Sequence, residues 1–299
     1  MNPTTLLQFF NSHRERAEPL VLVTVYETAG STYSKAGAQM LVNANGVFRG
    51  MLSGGCLEGD LAIRAQQVLE SEAPRTVTYD LGKGDDELWG MGVGCDGLMR
   101  MQLQPLLPRD GYVPFAEIAQ ILCGNAAKEV RVPLADGSNA ELTILVEPPP
   151  QILVLGAGLD AEPVVRFAAE LGWRCTVVDH RKAYIDNGDF AAAVATYCTA
   201  SNRLSDVLDA EQFDMAVVMS HHLASDRDYL MQLADTSIAY IGLLGPPNRR
   251  DRLLADLGAP GEKLKDRLYG PAGIPIGGRG PAAIALSIVA QMQQKLSSC

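Results

Sequence analysis

The sequence lacks three features that would each indicate a broad class of protein. No apolar run approaches the 18 or so residues that a membrane span requires. Basic clusters are missing as well: 25 Lys and Arg stand against 35 Asp and Glu, a formal net charge of −10. The six cysteines form no CxxC pair, which excludes a zinc ribbon or a thioredoxin motif. We therefore expect no membrane and no nucleic-acid partner.

The first residues also lack the pattern of a secretory signal. The apolar patch Leu6–Phe10 precedes His13, Arg14 and Arg16, whereas a signal peptide places its charges first. The spacing of the patch fits the first amphipathic helix of a domain. We therefore expect a cytoplasmic protein. Because a large cytosolic chain normally keeps its thiols reduced, we also expect its cysteines to be reduced.

The length of 299 residues corresponds to roughly two domains. The sharpest boundary is the extended segment Glu147–Pro150, so the sequence predicts domains at 1–147 and 151–299, joined by a proline linker at 148–150. The first half reads as strands with a few helices, including a hairpin about Asn45-Gly46. Strands and helices alternate in the second half. The predicted class is α/β, with an N-terminal α+β domain followed by a Rossmann-like, doubly wound parallel sheet.

The second domain begins with a strand, a glycine turn and a helix. Gly156 and Gly158 would allow a tight turn and the close approach of a pyrophosphate to the helix N-terminus. Asp179, 23 residues after the first glycine, could bond a ribose hydroxyl. The pattern predicts binding of a nucleotide or NAD(P). The alternative is a Rossmann-type domain that keeps the turn and binds nothing.

Two glycine-flanked cysteines stand out in the first domain. Cys56 follows Gly54 and Gly55 and precedes a predicted helix that starts at Glu58, where a helix dipole favours a thiolate. Cys95 follows Gly94, immediately before a predicted strand. In both motifs a ligand could approach the backbone amides and the thiol. The alternative is a small buried residue that fills a tight turn.

A polar loop, Gly30–Gly37, is the third candidate in this domain. Ser31, the other hydroxyls of the loop, its backbone amides and Lys35 could together hold an anionic group. A plain turn between two strands is an equally good interpretation.

The remaining candidates favour structural roles. Cys123, Cys175 and Cys198 lie in apolar segments, which predicts core packing for all three. His221 and His222 follow the end of a predicted strand, but adjacent histidines point in different directions and no third metal ligand is evident.

Taken together, these motifs resemble the XdhC/CoxI family of accessory proteins for molybdenum hydroxylases. The resemblance covers nearly the whole chain and rests on motifs in a fixed order. They read, along the chain, GSTYSKAGAQM, SGGCLEGDL, GVGCDG, GAGLDA, VVDHR, YIGLLGPPNRRDRL and PIGGRGPAAIALSIVAQM. One departure is Lys35, where the family often has Arg.

The resemblance implies a carrier and chaperone rather than an enzyme. Such proteins bind molybdenum cofactor, support its sulfuration by a cysteine desulfurase, and deliver it to a xanthine dehydrogenase or aldehyde oxidoreductase apoenzyme. By analogy, a homodimer is expected, with Cys56 and Cys95 as soft ligands to the cofactor molybdenum. The implied cofactor-binding residues are Ser31, Lys35, Gly54, Gly55, Cys56, Glu58, Gly94, Cys95, Gly156, Gly158 and Asp179. The alternative function is an NAD(P)-dependent oxidoreductase that uses the Rossmann-like domain.

Overall fold

The computed structural model describes residues 2–80 and 97–297. The chain divides into two compact units, Met1–Pro148 and Pro149–Cys299. Among the described residues, no helix combines the length and the apolar character needed to cross a membrane.

The first unit is an α+β structure built on an antiparallel sheet. Its helices are α1 (Pro3–Glu15), α2 (Glu58–Ser71) and α3 (Phe115–Cys123). Its strands are β1 (Leu20–Ala29), β2 (Gln39–Asn43), β3 (Phe48–Arg49), β4 (Arg75–Asp80), β5 (Leu98–Leu106), β6 (Lys128–Pro133) and β7 (Glu141–Val146). The first five strands form one sheet in the spatial order β3-β2-β1-β5-β4, and β6 and β7 form a separate hairpin.

The sheet is covered on both faces, which explains the unbroken apolar run at the start of β1. Leu20 and Leu22 pack with α1, α3 and the β6–β7 hairpin. Val21 and Val23, which point to the opposite face, pack with α2. A strand buried on both faces needs apolar residues at successive positions rather than at alternate ones.

The second unit is a parallel sheet between two layers of helices. Its strands are β8 (Gln151–Leu155), β9 (Arg174–Asp179), β10 (Ala195–Cys198), β11 (Met215–Val218), β12 (Tyr240–Leu243) and β13 (Leu268–Tyr269). Its helices are α4 (Ala161–Glu170), α5 (Lys182–Asn187), α6 (Leu223–Leu233), α7 (Pro247–Leu257), α8 (Ala259–Leu264) and α9 (Pro281–Leu296). The strand order is β10-β9-β8-β11-β12-β13 and the pairs are parallel.

This order is that of a doubly wound Rossmann sheet, in which the chain crosses over between its first and fourth strands. Ile152 and Val154 of β8 contribute to a core with α4 and α9. Leu153 and Leu155 contribute to the opposite core with α6, α7 and α8. The predicted fold class is confirmed.

Two of the cysteine predictions are wrong. Cys123 and Cys198 are exposed, whereas the sequence predicts core packing for both. Cys123 is the last residue of α3, and Cys198 ends the edge strand β10, so each lies at the end of an element where a neighbouring layer no longer covers it. Cys175 is buried as predicted, and burial raises the pKa of its thiol to about 12.

Candidate functional site

The topology of the first unit brings two of its glycine motifs, and the described end of a third, to one end of the five-stranded sheet. Strand β1 ends there, and Ala29 at its end pairs with Leu98 at the start of β5. Strand β2 begins at the same end, where β3 finishes beside it, because Arg49 pairs with Leu41. The loop that follows β1 (the first loop), the loop that follows β3 (the second loop) and Gly97, directly before β5, therefore meet at this end.

Close contacts join these loops. A Cβ atom at Gly97 would collide with the carbonyl oxygen of Ser31 and the methyl group of Thr32, so only glycine fits against the first loop. The Ser34 hydroxyl donates a hydrogen bond to the carbonyl oxygen of Met51, 3.4 Å away, and so links the first loop to the second. Gly94 and Cys95 lie outside the described residues, and Gly97 is the described end of their motif.

The second loop is organised by one carboxylate. Glu58, at the start of α2, is 2% exposed, and its Oε1 accepts hydrogen bonds from the amides of Leu52 and Ser53 at 2.8 Å. Its Oε2 accepts from the amide of Gly55 at 2.9 Å and from the Ser53 hydroxyl. The Ser53 oxygen in turn accepts from the amide of Leu57 at 2.7 Å. The sequence predicts Glu58 as a cofactor-binding residue, but here its carboxylate is occupied in holding the loop.

Two opposing effects act on this carboxyl group. Burial alone would raise the pKa of Glu58, because the charged form loses its hydration. The hydroxyl of Ser53 and the amides of the loop bond to the charged form and lower the pKa below its ordinary value. Glu58 is therefore a stable anion at neutral pH.

The thiol of Cys56 is exposed on this loop, two residues before α2 begins. Gly54 and Gly55 precede it with φ angles of +77° and +108°, a left-handed conformation that favours glycine. Ser31 and Lys35 are exposed on the neighbouring loop. The arrangement presents a thiol, a hydroxyl and a cation to solvent at one end of the sheet.

In the second unit, the glycine turn lies at the carboxyl end of β8, where the sheet crosses over to β11. Gly156 has a φ of +122°. A Cβ atom there would lie 2.6 Å from the carbonyl carbon and oxygen of Met219. The close approach of the chain that follows β11 is therefore a sufficient reason for glycine at this position.

Asp179, at the end of β9, is fully buried and saturated by protein donors. Its Oδ2 accepts from the Ala157 amide and from Nη2 of Arg181, each at 2.7 Å. Its Oδ1 accepts from the amide and Nε of Arg181 at 2.8 and 2.9 Å. Burial would raise the pKa of Asp179, but the Arg181 guanidinium and the two amides hold it below its ordinary value. A ribose hydroxyl would have to displace Arg181 to reach this carboxylate.

His221 lies beside the glycine turn, although the sequence favoured a structural role for it. Its ring lies 3.6 Å from the position of a Cβ atom at Gly158, and its Nε2 is 3.0 Å from Oδ2 of Asp160. His222 points elsewhere and caps α6, with its Nδ1 3.0 Å from the Ser225 hydroxyl. The described residues contain no group of three or more side chains suited to a metal ion. The position after a parallel strand was the signal in the sequence, but it did not indicate that the imidazole of His221 lies beside Gly158.

Two family models match the chain. One, described as the XdhC Rossmann domain, covers residues 152–292, and the other, described as the XdhC and CoxI family, covers residues 13–80. The chain belongs to the XdhC and CoxI family. The resemblance drawn from the sequence motifs is thereby confirmed.

Relatives extend over almost the whole length of this XdhC and CoxI family member. A Bacillus subtilis (strain 168) protein, named as a probable subunit of xanthine dehydrogenase, is 29% identical over 317 residues, 94% of each chain. The "Molybdenum cofactor insertion chaperone PaoD" of Escherichia coli (strain K12) is 24% identical over 314 residues, 99% of this chain and 91% of PaoD. A crystal structure from Bacillus halodurans, described as that of a xanthine dehydrogenase (BH1974), has 30% identity and a TM-score of 0.85, covering 98% of this chain and 96% of that one.

The matched ranges contain most of the predicted site residues. The XdhC and CoxI match includes the first and second loops, with Lys35, Cys56 and Glu58. The XdhC Rossmann match includes Gly156 and the rest of the turn, together with Asp179. Gly94 and Cys95 fall between the two ranges.

Proposed function

We propose that this chain is an accessory protein of a molybdenum hydroxylase of the xanthine dehydrogenase class. It binds molybdenum cofactor, supports its sulfuration and delivers it to the apoenzyme. The observation that carries this proposal is the meeting of the Gly30–Gly37 loop, the loop with Cys56 and Gly97 at one end of the sheet, with Cys56 exposed, in a member of the XdhC and CoxI family. The relatives named as a probable subunit of xanthine dehydrogenase and as a cofactor insertion chaperone support the same role.

The chemistry of the first unit suits this cargo. Molybdenum and the dithiolene sulfurs of the cofactor are soft, so a thiolate from Cys56 is a suitable temporary partner, with Cys95 expected as the second thiol. The cofactor also carries a phosphate. Ser31 and Lys35, both exposed on the adjacent loop, provide a hydroxyl donor and the positive charge that a phosphate needs.

Glu58 contributes indirectly to this site. Its carboxylate fixes the backbone of residues 52–55, and so keeps Cys56 and the two glycines in one conformation. We assign it a positioning role, because a buried carboxylate that already accepts four hydrogen bonds would repel a phosphate rather than bind one.

The second unit has a less direct part in the proposal. Its glycine turn would hold the nucleotide of a dinucleotide form of the cofactor, or NAD(P), through Gly156 and Gly158. A ligand in that place needs His221 to leave its position over Gly158, and a ribose bond to Asp179 needs Arg181 to release the carboxylate. The alternative function, an NAD(P)-dependent oxidoreductase, requires both rearrangements, whereas cofactor handling by the first unit requires neither.

The proposed partners are a hydroxylase apoenzyme, a cysteine desulfurase that supplies the sulfido ligand, and a second copy of this chain. The last is tested by analytical ultracentrifugation. A homodimer is expected at micromolar concentration, and a monomer at that concentration would refute this part of the proposal.

The central experiment is anaerobic purification of the parent chain, Cys56→Ser and Cys123→Ser, followed by incubation with cofactor released from a molybdenum hydroxylase. Mass spectrometry identifies the bound pterin, and elemental analysis gives molybdenum per chain. The parent and Cys123→Ser, which alters another exposed thiol of the same unit, should retain pterin and molybdenum. Cys56→Ser should retain little and should fail to activate the apoenzyme. A parent chain that holds no pterin under these conditions would overturn the proposal.

A further inference from the structure

Tyr33 places an exposed aromatic ring beside the loop that carries Cys56. Atoms Cδ2 and Cε2 of the ring lie 3.3 and 3.4 Å from the position that a Cβ atom at Gly54 would take. The side of the ring next to Gly54 therefore lies against the loop backbone, while the residue as a whole is 61% exposed. Any side chain at position 54 would press against the ring, so the glycine allows this placement.

Other exposed tyrosines of the described residues have different surroundings. Tyr184 already stacks with a cation, since the guanidinium carbon of Arg181 lies 3.8 Å from its ring centroid. Tyr197 lies on the edge strand β10 of the second unit. Tyr33 combines an uncovered ring with the thiol loop of the first unit.

The neighbours of Tyr33 indicate the kind of molecule that would cover it. Lys35 is exposed two residues further along the same loop, and Ser31 is exposed two residues before. An exposed aromatic ring on a loop that also exposes a cation and a hydroxyl suits a planar heterocycle that carries an anionic group, because stacking and charge pairing can then be satisfied together.

We propose that Tyr33 is a specificity-determining residue that stacks on the pterin ring of the cofactor. This inference rests on the proposed function, and it adds the recognition of the heterocycle to that of the molybdenum and the phosphate. In this arrangement Cys56 holds the metal end of the cargo, Lys35 holds the phosphate, and Tyr33 selects the pterin ring system.

The test compares four proteins: the parent, Tyr33→Leu, Tyr33→Phe and the control Tyr197→Leu. Each is titrated anaerobically with molybdenum cofactor released from a hydroxylase, and separately with 6-hydroxymethylpterin, which has neither molybdenum nor phosphate. Affinity for the cofactor is measured by equilibrium dialysis as molybdenum bound per chain, because the reduced pterin of the intact cofactor fluoresces little. Affinity for 6-hydroxymethylpterin is measured from quenching of its fluorescence, a signal that stacking on an aromatic ring produces. Thermal unfolding and the rate of Cys56 alkylation show whether the loop stays intact.

Tyr33→Leu should weaken binding of the cofactor by about tenfold or more and should abolish most of the quenching of 6-hydroxymethylpterin. Tyr33→Phe keeps the ring and should bind within about twofold of the parent, as should Tyr197→Leu. The parent should bind 6-hydroxymethylpterin weakly, and Tyr33→Leu should not bind it.

Equal affinity and equal quenching in Tyr33→Leu would overturn the inference while leaving the proposed function standing. Equal losses in Tyr33→Leu and Tyr33→Phe would also overturn it, because the hydroxyl rather than the ring would then be responsible. If Tyr33→Leu binds the cofactor normally and fails only to activate the apoenzyme, Tyr33 contacts the partner enzyme and the stacking role is wrong. A parent that binds no cofactor overturns the proposed function itself.

Discussion

Replacing Glu58 with glutamine removes one charge and changes almost nothing in shape, so it tests how the thiol loop is held. A glutamine side chain keeps one acceptor oxygen, which can still serve the amides of Leu52 and Ser53. Its NH2 group would face the Gly55 amide and the Ser53 hydroxyl, which bond to Oε2 in the parent. Two hydrogen bonds to a charged acceptor are lost, and an amide donor then faces another donor.

We expect the Glu58→Gln chain to lose roughly 2–4 kcal/mol of its free energy of unfolding, because hydrogen bonds to charged groups contribute about 1.5–3 kcal/mol each. The assay is urea denaturation at pH 7. The matched control is Glu70→Gln, which alters an exposed carboxylate on the same helix. The control should change stability by less than about 0.5 kcal/mol.

Two further measurements show whether the loss of stability comes from the loop that carries Cys56 and from the charge of Glu58. Iodoacetamide labelling of Cys56 should change in rate in Glu58→Gln, whereas labelling of Cys123 and Cys198 should not. Because the folded-state pKa of Glu58 is lowered, its stabilisation is fully present above the ordinary glutamate pKa of about 4.3 and is lost as the pH falls through the folded-state pKa. The stability difference between parent and Glu58→Gln should therefore shrink in acid. A difference below about 0.5 kcal/mol at pH 7, with unchanged labelling, would refute this account of the loop.

Three other changes test particular contacts. If the turn binds a nucleotide, Gly158→Val should lower the affinity of the chain for that nucleotide at least tenfold in calorimetry, because the larger side chain blocks the phosphate. Gly158→Ala should still fold and serves as the control. Equal affinities for the parent and Gly158→Val would favour a turn that binds nothing. Asp179→Asn should reduce the free energy of unfolding by about 2–4 kcal/mol in urea, because Arg181 loses its partner, and unchanged stability would contradict the role given to this pair. Gly97→Ala should destabilise the first unit by about 1–3 kcal/mol, since its Cβ atom meets the Ser31 carbonyl. A thermal unfolding curve that matches that of the parent would show that the loops rearrange at little energetic cost.

Much of the fold could be predicted because its main elements have strong local signals. Strand β5 and helices α3 and α9 are readily recognised from sequence, since each is an apolar or amphipathic run with clear terminators. The elements that sequence reasoning missed are short, namely α5, β10, α8 and β13. In β10 the edge position leaves three of its four residues exposed, so no hydrophobic pattern marks it.

The candidate site was predicted in its residue types more than in its connections. The glycines before Cys56 and the helix after it were readable from local sequence. The role of Glu58 was not readable from local sequence, because a carboxylate near a thiol gives the same sequence pattern whether it binds a ligand or accepts hydrogen bonds from its own loop. The contact between Gly97 and Ser31 joins residues 66 positions apart, and it follows from strand order rather than from any motif.

The fit of Gly156 against the Met219 carbonyl has a consequence for how this domain can evolve. Selection for packing alone is enough to keep that glycine, so the turn would be retained even after nucleotide binding had been lost. Gly158 has no such constraint, because a Cβ atom there meets the His221 ring only at an ordinary contact distance. Within one short motif, the first glycine therefore belongs to the scaffold, and the second is free to change once no ligand needs the space.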